Sequence, residues 1–397
     1  MLEDVIIVGG GQAALATAYY LHKRGIDPLI LDNQPAPGGS WRNVWPSLTL
    51  FSTPDFSNLP GIQMPDYDGF PPASHVIDYL SSYENRYELR VQRPVAVTHV
   101  SHDGTFHLTS DAGDFESRQL IAATGNRPFV PYYPGTTAAK QWHSANYPGP
   151  EPFESSRVAV VGAANSGAQI ASELVLSNID TTWFTRHEPR WMPNDVDGRV
   201  LFKRYRQGAT DSIGDIVVLP PVRKARDSGA LTWTPMFSSL DDVHADHLIW
   251  CTGFRPALGP FRSIDSDLIE FVGYGDWVGP GAATIMGVGP FAKRAAERVA
   301  ARLSACPAST ACPTIARSSS PPAAVAQHAE SHTFCAAQST PRYCLLSPQP
   351  RRAFPPREQH RWSRLTVRLQ FPCLESSDAR RWSFPPCTET RRSHGNR

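Results

Sequence analysis

Cysteine is almost missing from the first 302 residues: Cys251 stands alone there, and the other six of the seven cysteines follow residue 303. No Cys-x-x-Cys pair and no Cys/His group at metal-ligand spacing occurs, which excludes a dithiol redox centre and leaves no candidate metal site. Net charge is equally scarce. Thirty-eight basic and 37 acidic side chains leave +1 at pH 7, so neither nucleic acid nor an anionic membrane surface is an expected partner. No apolar run approaches the roughly 18 residues of a membrane span. The amino terminus enters an apolar strand and a glycine turn at once, without space for the basic and apolar regions of a leader, so a cytoplasmic location is expected. Lysine, finally, is absent after Lys293. Beyond residue 302 arginine is mixed with Pro, Ser and Cys without helix or strand period, and such a stretch cannot bury enough apolar surface to offset its ordering entropy. Residues 303–397 are therefore expected to be a disordered tail, and arginine without lysine also fits a frameshifted or read-through end.

What the chain does have is a unit used twice. The apolar run Val5-Ile6-Ile7-Val8 leads into Gly9-Gly10-Gly11-Gln12-Ala13-Ala14, and Val158-Ala159-Val160-Val161 leads into Gly162-Ala163-Ala164-Asn165-Ser166-Gly167. Each reads as strand, tight turn and helix, the arrangement in which a phosphate meets bare backbone N–H groups and the positive end of a helix. A single such turn is also an ordinary strand-to-helix corner. Two copies, each followed by a second strand with a charged end at matching distance, are a stronger signal. In the first copy Leu29-Ile30-Leu31 ends at Asp32, where an acid bonds a ribose diol; in the second Trp183-Phe184-Thr185 ends at Arg186-His187, where a base suits a 2′-phosphate. One dinucleotide with a free ribose and one NADPH are expected. Ala14 replaces the third glycine of the first copy, a tolerated change. Ala164 replaces the middle glycine of the second, where its methyl group is expected to point toward the pyrophosphate.

Between the units the pattern is mixed. Pro37-Gly38-Gly39-Ser40-Trp41-Arg42 is a loop whose paired glycines let backbone lie against a flat ring or a pyrophosphate. Pro46 to Pro72, rich in Pro, Gly and aromatics, is expected to be a lid or substrate loop. A helix begins near His75, and alternation from Val91 to Leu120 with turns at Asp103-Gly104 and Asp111-Ala112-Gly113 predicts an antiparallel meander. Two apolar strands end at Thr-Gly, Leu120 to Gly125 and Leu248 to Gly253, and mark where the chain crosses between domains. The expected organisation is thus 1–150 plus 250–302 for a discontinuous first domain and 151–249 for a second inserted in it. Gly275-Asp276 precedes a run of small residues read as a helix start, which places Asp276 to bond a cofactor hydroxyl. The segment with Trp191, Met192, Pro193, Asp195, Asp197 and Arg199 has no readable role.

Taken together, Gly9 to Ala14, Pro37 to Arg42, Ala123-Thr124-Gly125, His143-Ser144 with Tyr147, Asn165-Ser166-Gly167, Trp250 to Phe254 and Gly273 to Trp277 resemble the class B flavin-containing monooxygenases, nearest the bacterial branch of arsenic-resistance operons. The resemblance covers about residues 3–302. It implies an α/β fold with two Rossmann-like domains, one for FAD and one for NADPH. It also implies FAD on Gly9, Gly11, Ala14, Asp32, Gly38, Gly39, Trp41, Thr124, Gly125, Gly275 and Asp276, and NADPH on Gly162, Asn165, Ser166, Gly167 and Arg186. His143 and Asn165 are implied at the catalytic centre, His143 in a positioning role; Cys251 reads as a buried small hydrophobe. The implied reaction is hydride transfer from NADPH to flavin, addition of O2 to give a C4a-peroxyflavin, and oxygenation of a soft nucleophile bearing S, N or trivalent As. A small-molecule substrate, O2 and a homodimer are the implied partners. Two other readings stay open: an NAD(P)H-flavin reductase without oxygenase activity, and a degenerate, non-catalytic flavoprotein.

Overall fold

Both glycine turns end the central strand of a parallel sheet, and the two sheets are built to one plan. The computed structural model describes residues 2–207 and 213–305, all within one compact unit. In the first sheet β1 (Leu2–Val8) pairs in parallel with β2 (Leu29–Leu31) on one side and β6 (Gly113–Ala122) on the other. The strand β3 (Val91–Gln92) extends the β2 edge, and β14 (Glu270–Phe271) adds to the end of β6. In the second sheet β9 (Arg157–Val161) lies between β10 (Asp180–Thr185) and β12 (His247–Trp250), flanked by β11 (Trp233–Pro235) and β8 (Lys140–His143). Five parallel strands in equivalent order result in each case, β3-β2-β1-β6-β14 and β11-β10-β9-β12-β8. Central strands covered on both faces must be apolar throughout, and Val5 to Val8 and Val158 to Val161 are all buried.

Helices cover one face of each sheet. α1 (Gln12–His22) is held between β1 and α6 (Gly289–Ala305), with α2 (Ala73–Arg86) beside it; Ala13, Ala14, Ala16 and Ala18 keep helix and strand close. On the second sheet α3 (Asn165–Leu176) packs on α5 (Pro220–Asp227), while α4 (Gly198–Arg206) lies farther along the chain segment between β10 and α5. Beyond β6 the first sheet continues as an antiparallel meander through β5 (Phe106–Ser110) and β4 (Val97–His102), whose Val100, Phe106 and Leu108 share a core with Ile6, Val8 and Leu31. The turns at 103–104 and 111–113 fall where glycine and aspartate put them.

Several elements differ from the expectation. Val91–Gln92 pairs in parallel with β2, because two residues after a helix that crosses the sheet face can only return alongside it. Lys140–His143 joins the second sheet ahead of the boundary expected at 150. The small-residue run after Asp276 forms successive turns, with Thr284 Oγ donating to Gly281 O and accepting from Gly287 N–H, so α6 starts only at Gly289. That helix continues to Ala305, past residue 302; the rest of the expected tail lies outside the described residues. The stretch 46–72 is anchored in the protein interior. Leu50, Leu59 and Met64 are buried in the first core, and Trp45 just before it is buried in the second.

Candidate active site

The first glycine turn is shaped by contacts that no side chain could share. Gly9 has φ +107°, and a Cβ there would sit 2.3 Å from Ala123 O. A Cβ on Gly10 would sit 2.3 Å from Oδ2 of Asp32, so the buried carboxylate at the end of β2 lies directly against the turn. The loop at Gly38-Gly39 comes from the other side, and a Cβ on Gly39 would reach within 2.7 Å of the Cα of Gly11. α1 follows directly on Gly11 with no capping side chain, which leaves its first N–H groups open for a phosphate.

Gln12 holds this cradle together. Its Oε1 accepts from the Trp41 indole N–H at 2.9 Å, and its Nε2 donates to Ala283 O at 2.7 Å. The turn Gly275–Trp277, with exposed Asp276, is seated nearby, since a Cβ on Gly273 would meet Ala13 Cβ at 2.5 Å. Segments far apart in sequence, those of Gly9, Gly39, Trp41 and Gly273, therefore converge on the start of α1. Asp32 has a partner that sequence reasoning missed: Arg93 Nε donates to Oδ2 at 3.1 Å, and the same guanidinium forks onto Glu84 at 2.6 and 2.9 Å. Burial would lower the Arg93 pKa, but the carboxylates of Glu84 and Asp32 overcome it and hold the group charged.

The second turn repeats the first. Gly162 has φ +131°, and its Cβ would sit 2.2 Å from Cys251 O, as that of Gly9 would from Ala123 O. Gly167 lies over Gly162 O, which the Trp183 indole N–H also bonds at 2.8 Å. α3 likewise begins without a capping side chain. Ala164 is extended (φ −118°, ψ −174°) and exposed, a conformation that any residue adopts. Asn165 Oδ1 accepts from Val217 N–H at 2.8 Å, and Ser166 is half-buried in the first turn of α3. Val217 in turn lines a cleft of about 500 Å³ with Phe70, Asp197, Arg199 and Leu219, which gives the segment without a readable role a place beside Asn165. Arg186 is exposed at the end of β10.

His143 sits elsewhere. Ala145 N–H donates to its Nδ1 at 3.1 Å, so Nε2 carries the proton and donates to Gly253 O at 3.1 Å. Burial pushes its pKa below the ordinary value, against the effect of the Gly253 carbonyl. With both nitrogens bonded to backbone, the ring fixes geometry and has no free site for a proton. Among the described residues no hydrogen bond joins it to Asn165. Tyr147 is buried in the second core with its ring stacked on Phe153, and burial pushes the Cys251 thiol well up, so it stays protonated. The Thr124 hydroxyl is bonded within the protein, to Ala257 O at 2.7 Å and to the hydroxyl of Tyr274 at 2.8 Å.

Two turns that exclude Cβ atoms, each at an uncapped helix start and one lying against a buried acid, fit a pair of dinucleotides. Sequence comparison agrees: a profile of the pyridine nucleotide-disulphide oxidoreductases matches residues 6–266. The chain belongs to that family. Among its relatives, an oxidoreductase described as CzcO-like from Geobacillus kaustophilus is 33% identical over 282 residues, 64% of this chain and 81% of that protein. A flavin-containing monooxygenase from Stenotrophomonas maltophilia superposes with a TM-score of 0.69 at 38% identity, over 76% of this chain and 98% of that one. A probable indole-3-pyruvate monooxygenase, YUCCA9 of Arabidopsis thaliana, is 30% identical over 211 residues, half of each chain. This oxidoreductase is a class B flavin-dependent monooxygenase that uses FAD and NADPH. No helix among the described residues is long and apolar enough to cross a membrane.

Proposed function

We propose that the enzyme prefers NADPH to NADH and transfers one oxygen atom of O2 to a small soft nucleophile, a sulfur, nitrogen or trivalent arsenic centre. The observation that carries this reading is the opposite charge at the two closing positions, buried Asp32 beside the first turn and exposed Arg186 beyond the second. A carboxylate accepts from a ribose diol and repels a 2′-phosphate, whereas a guanidinium pairs with one. When bound, FAD and NADPH supply hydride transfer and oxygen activation.

The protein's own part is binding and placement. Gly9, Gly10, Gly11 and Gly39 keep Cβ atoms out of the first cradle, Gln12 fixes Trp41 beside it, and the bare start of α3 receives the second pyrophosphate. Neither His143, with both nitrogens occupied, nor Cys251, buried and protonated, supplies acid–base or thiol chemistry. This favours oxygen transfer over disulfide reduction. The cleft beside Val217 has the volume for a small molecule.

The test is NADPH oxidation by the FAD-loaded enzyme with a dialkyl thioether, a tertiary amine or a trivalent arsenical. Oxide product formed in step with NADPH consumed is expected for at least one class. NADPH consumption indifferent to all three, with hydrogen peroxide as the sole product of O2, would overturn the oxygenase reading in favour of a reductase.

A further inference from the structure

The chain passes from the first sheet to the second after Ala123-Thr124-Gly125 and returns after Cys251-Thr252-Gly253, and the two crossing segments pair with each other. They form an antiparallel ribbon of β7 (Asn126–Pro128) and β13 (Phe254–Pro256), with Arg127 opposite Arg255. The bonding around it is reciprocal. Thr124 Oγ1 donates to Ala257 O at 2.7 Å, and Ala257 N–H donates to Gly125 O at 2.9 Å. Thr252 Oγ1 donates to Phe129 O at 2.6 Å, and Phe129 N–H donates to Gly253 O at 3.1 Å. Exchanging the two halves leaves this pattern unchanged. Each threonine also follows directly on the residue whose carbonyl backs a glycine turn, Ala123 behind Gly9 and Cys251 behind Gly162. A movement of either threonine therefore passes through one peptide unit into the turn that meets a pyrophosphate.

We propose that Thr124 and Thr252 form a reciprocal hydroxyl latch, a pair of positioning residues that sets the separation of the FAD and NADPH sites for hydride transfer. The proposal rests on the two-dinucleotide reading. It adds a cause for the separation: two hydroxyl-to-carbonyl bonds across the ribbon, with His143 Nε2 steadying the same Gly253 carbonyl. Small errors in such a separation are costly, because a displacement of about 1 Å between reacting groups can slow transfer about a hundredfold.

Thr252→Val keeps the shape of the side chain and removes the donor, whereas Thr252→Ser keeps the donor. The latch predicts that Thr252→Val slows anaerobic flavin reduction at saturating NADPH by about tenfold or more, while the dissociation constants for FAD and NADPH change less than about threefold. It also predicts, in protein without nucleotides, faster amide hydrogen exchange at both Phe129 and Ala257, and Thr252→Ser should restore both readouts. Should Thr252→Val not fold, Thr124→Val must produce the same paired rise in exchange. Parental reduction rates, or faster exchange confined to Phe129, would overturn the latch. A parent protein that NADPH does not reduce would instead count against the dinucleotide reading, and the exchange measurement would still decide whether the ribbon is latched.

Discussion

Gly39 touches Gly11 so closely that a Cβ on the former would lie 2.7 Å from the Cα of the latter, and Gly39 itself has φ +54°. The close approach and the left-handed backbone both penalise any side chain there. Gly39→Ala is expected to strain the loop or push it off the first turn, at a cost of about 1–3 kcal/mol, and so to weaken FAD binding by about tenfold or more. Flavin fluorescence released on dilution measures it. A variant that stays as yellow as the parent at nanomolar protein would contradict the cradle.

Arg186→Ala removes the base at the end of β10. A charge-assisted bond to a 2′-phosphate is worth about 1.5–3 kcal/mol, so the preference for NADPH over NADH in kcat/KM should fall by about ten- to a hundredfold. The loss should appear as weaker NADPH use with NADH use unchanged. Equal use of the two nucleotides by the parent would remove Arg186 from the site.

The parts of this fold that were legible in the sequence are those with a local cause. The strand, turn and helix around Gly9 and Gly162 follow from apolar runs and glycine, and the meander follows from alternation and from turns at 103–104 and 111–113. The places of Asp32 and Arg186, directly after β2 and β10, were legible by spacing. What stayed hidden is made by distant contacts. Nothing near Arg93 in sequence announces Asp32, and nothing near Val217 announces Asn165. Gln12 stood in plain view within the first motif, but its link from Trp41 to Ala283 exists only once three segments meet. The stretch 46–72 lacks periodicity because it packs by single residues rather than by one face, Leu50, Leu59 and Met64 into the first core and Leu48, Phe51 and Phe70 against the second.

Arg93→Met should destabilise the folded protein strongly. It leaves buried Asp32 and half-buried Glu84 without their shared cation, and removing one member of a buried ion pair costs up to about 3–5 kcal/mol. Urea denaturation of the FAD-free protein reads this directly. The paired change of Arg93 and Glu84 to Met and Gln should cost less than the single one. If Arg93→Met unfolds at the parental midpoint, the triad is not a structural support of Asp32.

His143, bonded to the Gly253 carbonyl beside the crossing ribbon, gives the fold a pH dependence. Its folded pKa is depressed by burial below the ordinary 6.5, so the unfolded chain takes up a proton more readily than the folded one. Stability from this residue is complete above about pH 6.5 and is lost as pH falls through that value. Protonation would also break the bond from Ala145 N–H to Nδ1. Between pH 7 and pH 5 the parent should lose more stability than His143→Gln does, as measured by denaturation midpoints at each pH. Parallel curves would show that the imidazole stays unperturbed.

If the acid-closed and the base-closed dinucleotide sites together deliver oxygen to a substrate, the atom gained by the product comes from O2. The decisive measurement is a single turnover under 18O2 with FAD-loaded enzyme, one equivalent of NADPH and an excess of thioether or trivalent arsenical. One 18O atom in the oxidised product per NADPH consumed is the predicted result. Product carrying only solvent oxygen, or 18O recovered wholly as hydrogen peroxide, would contradict it.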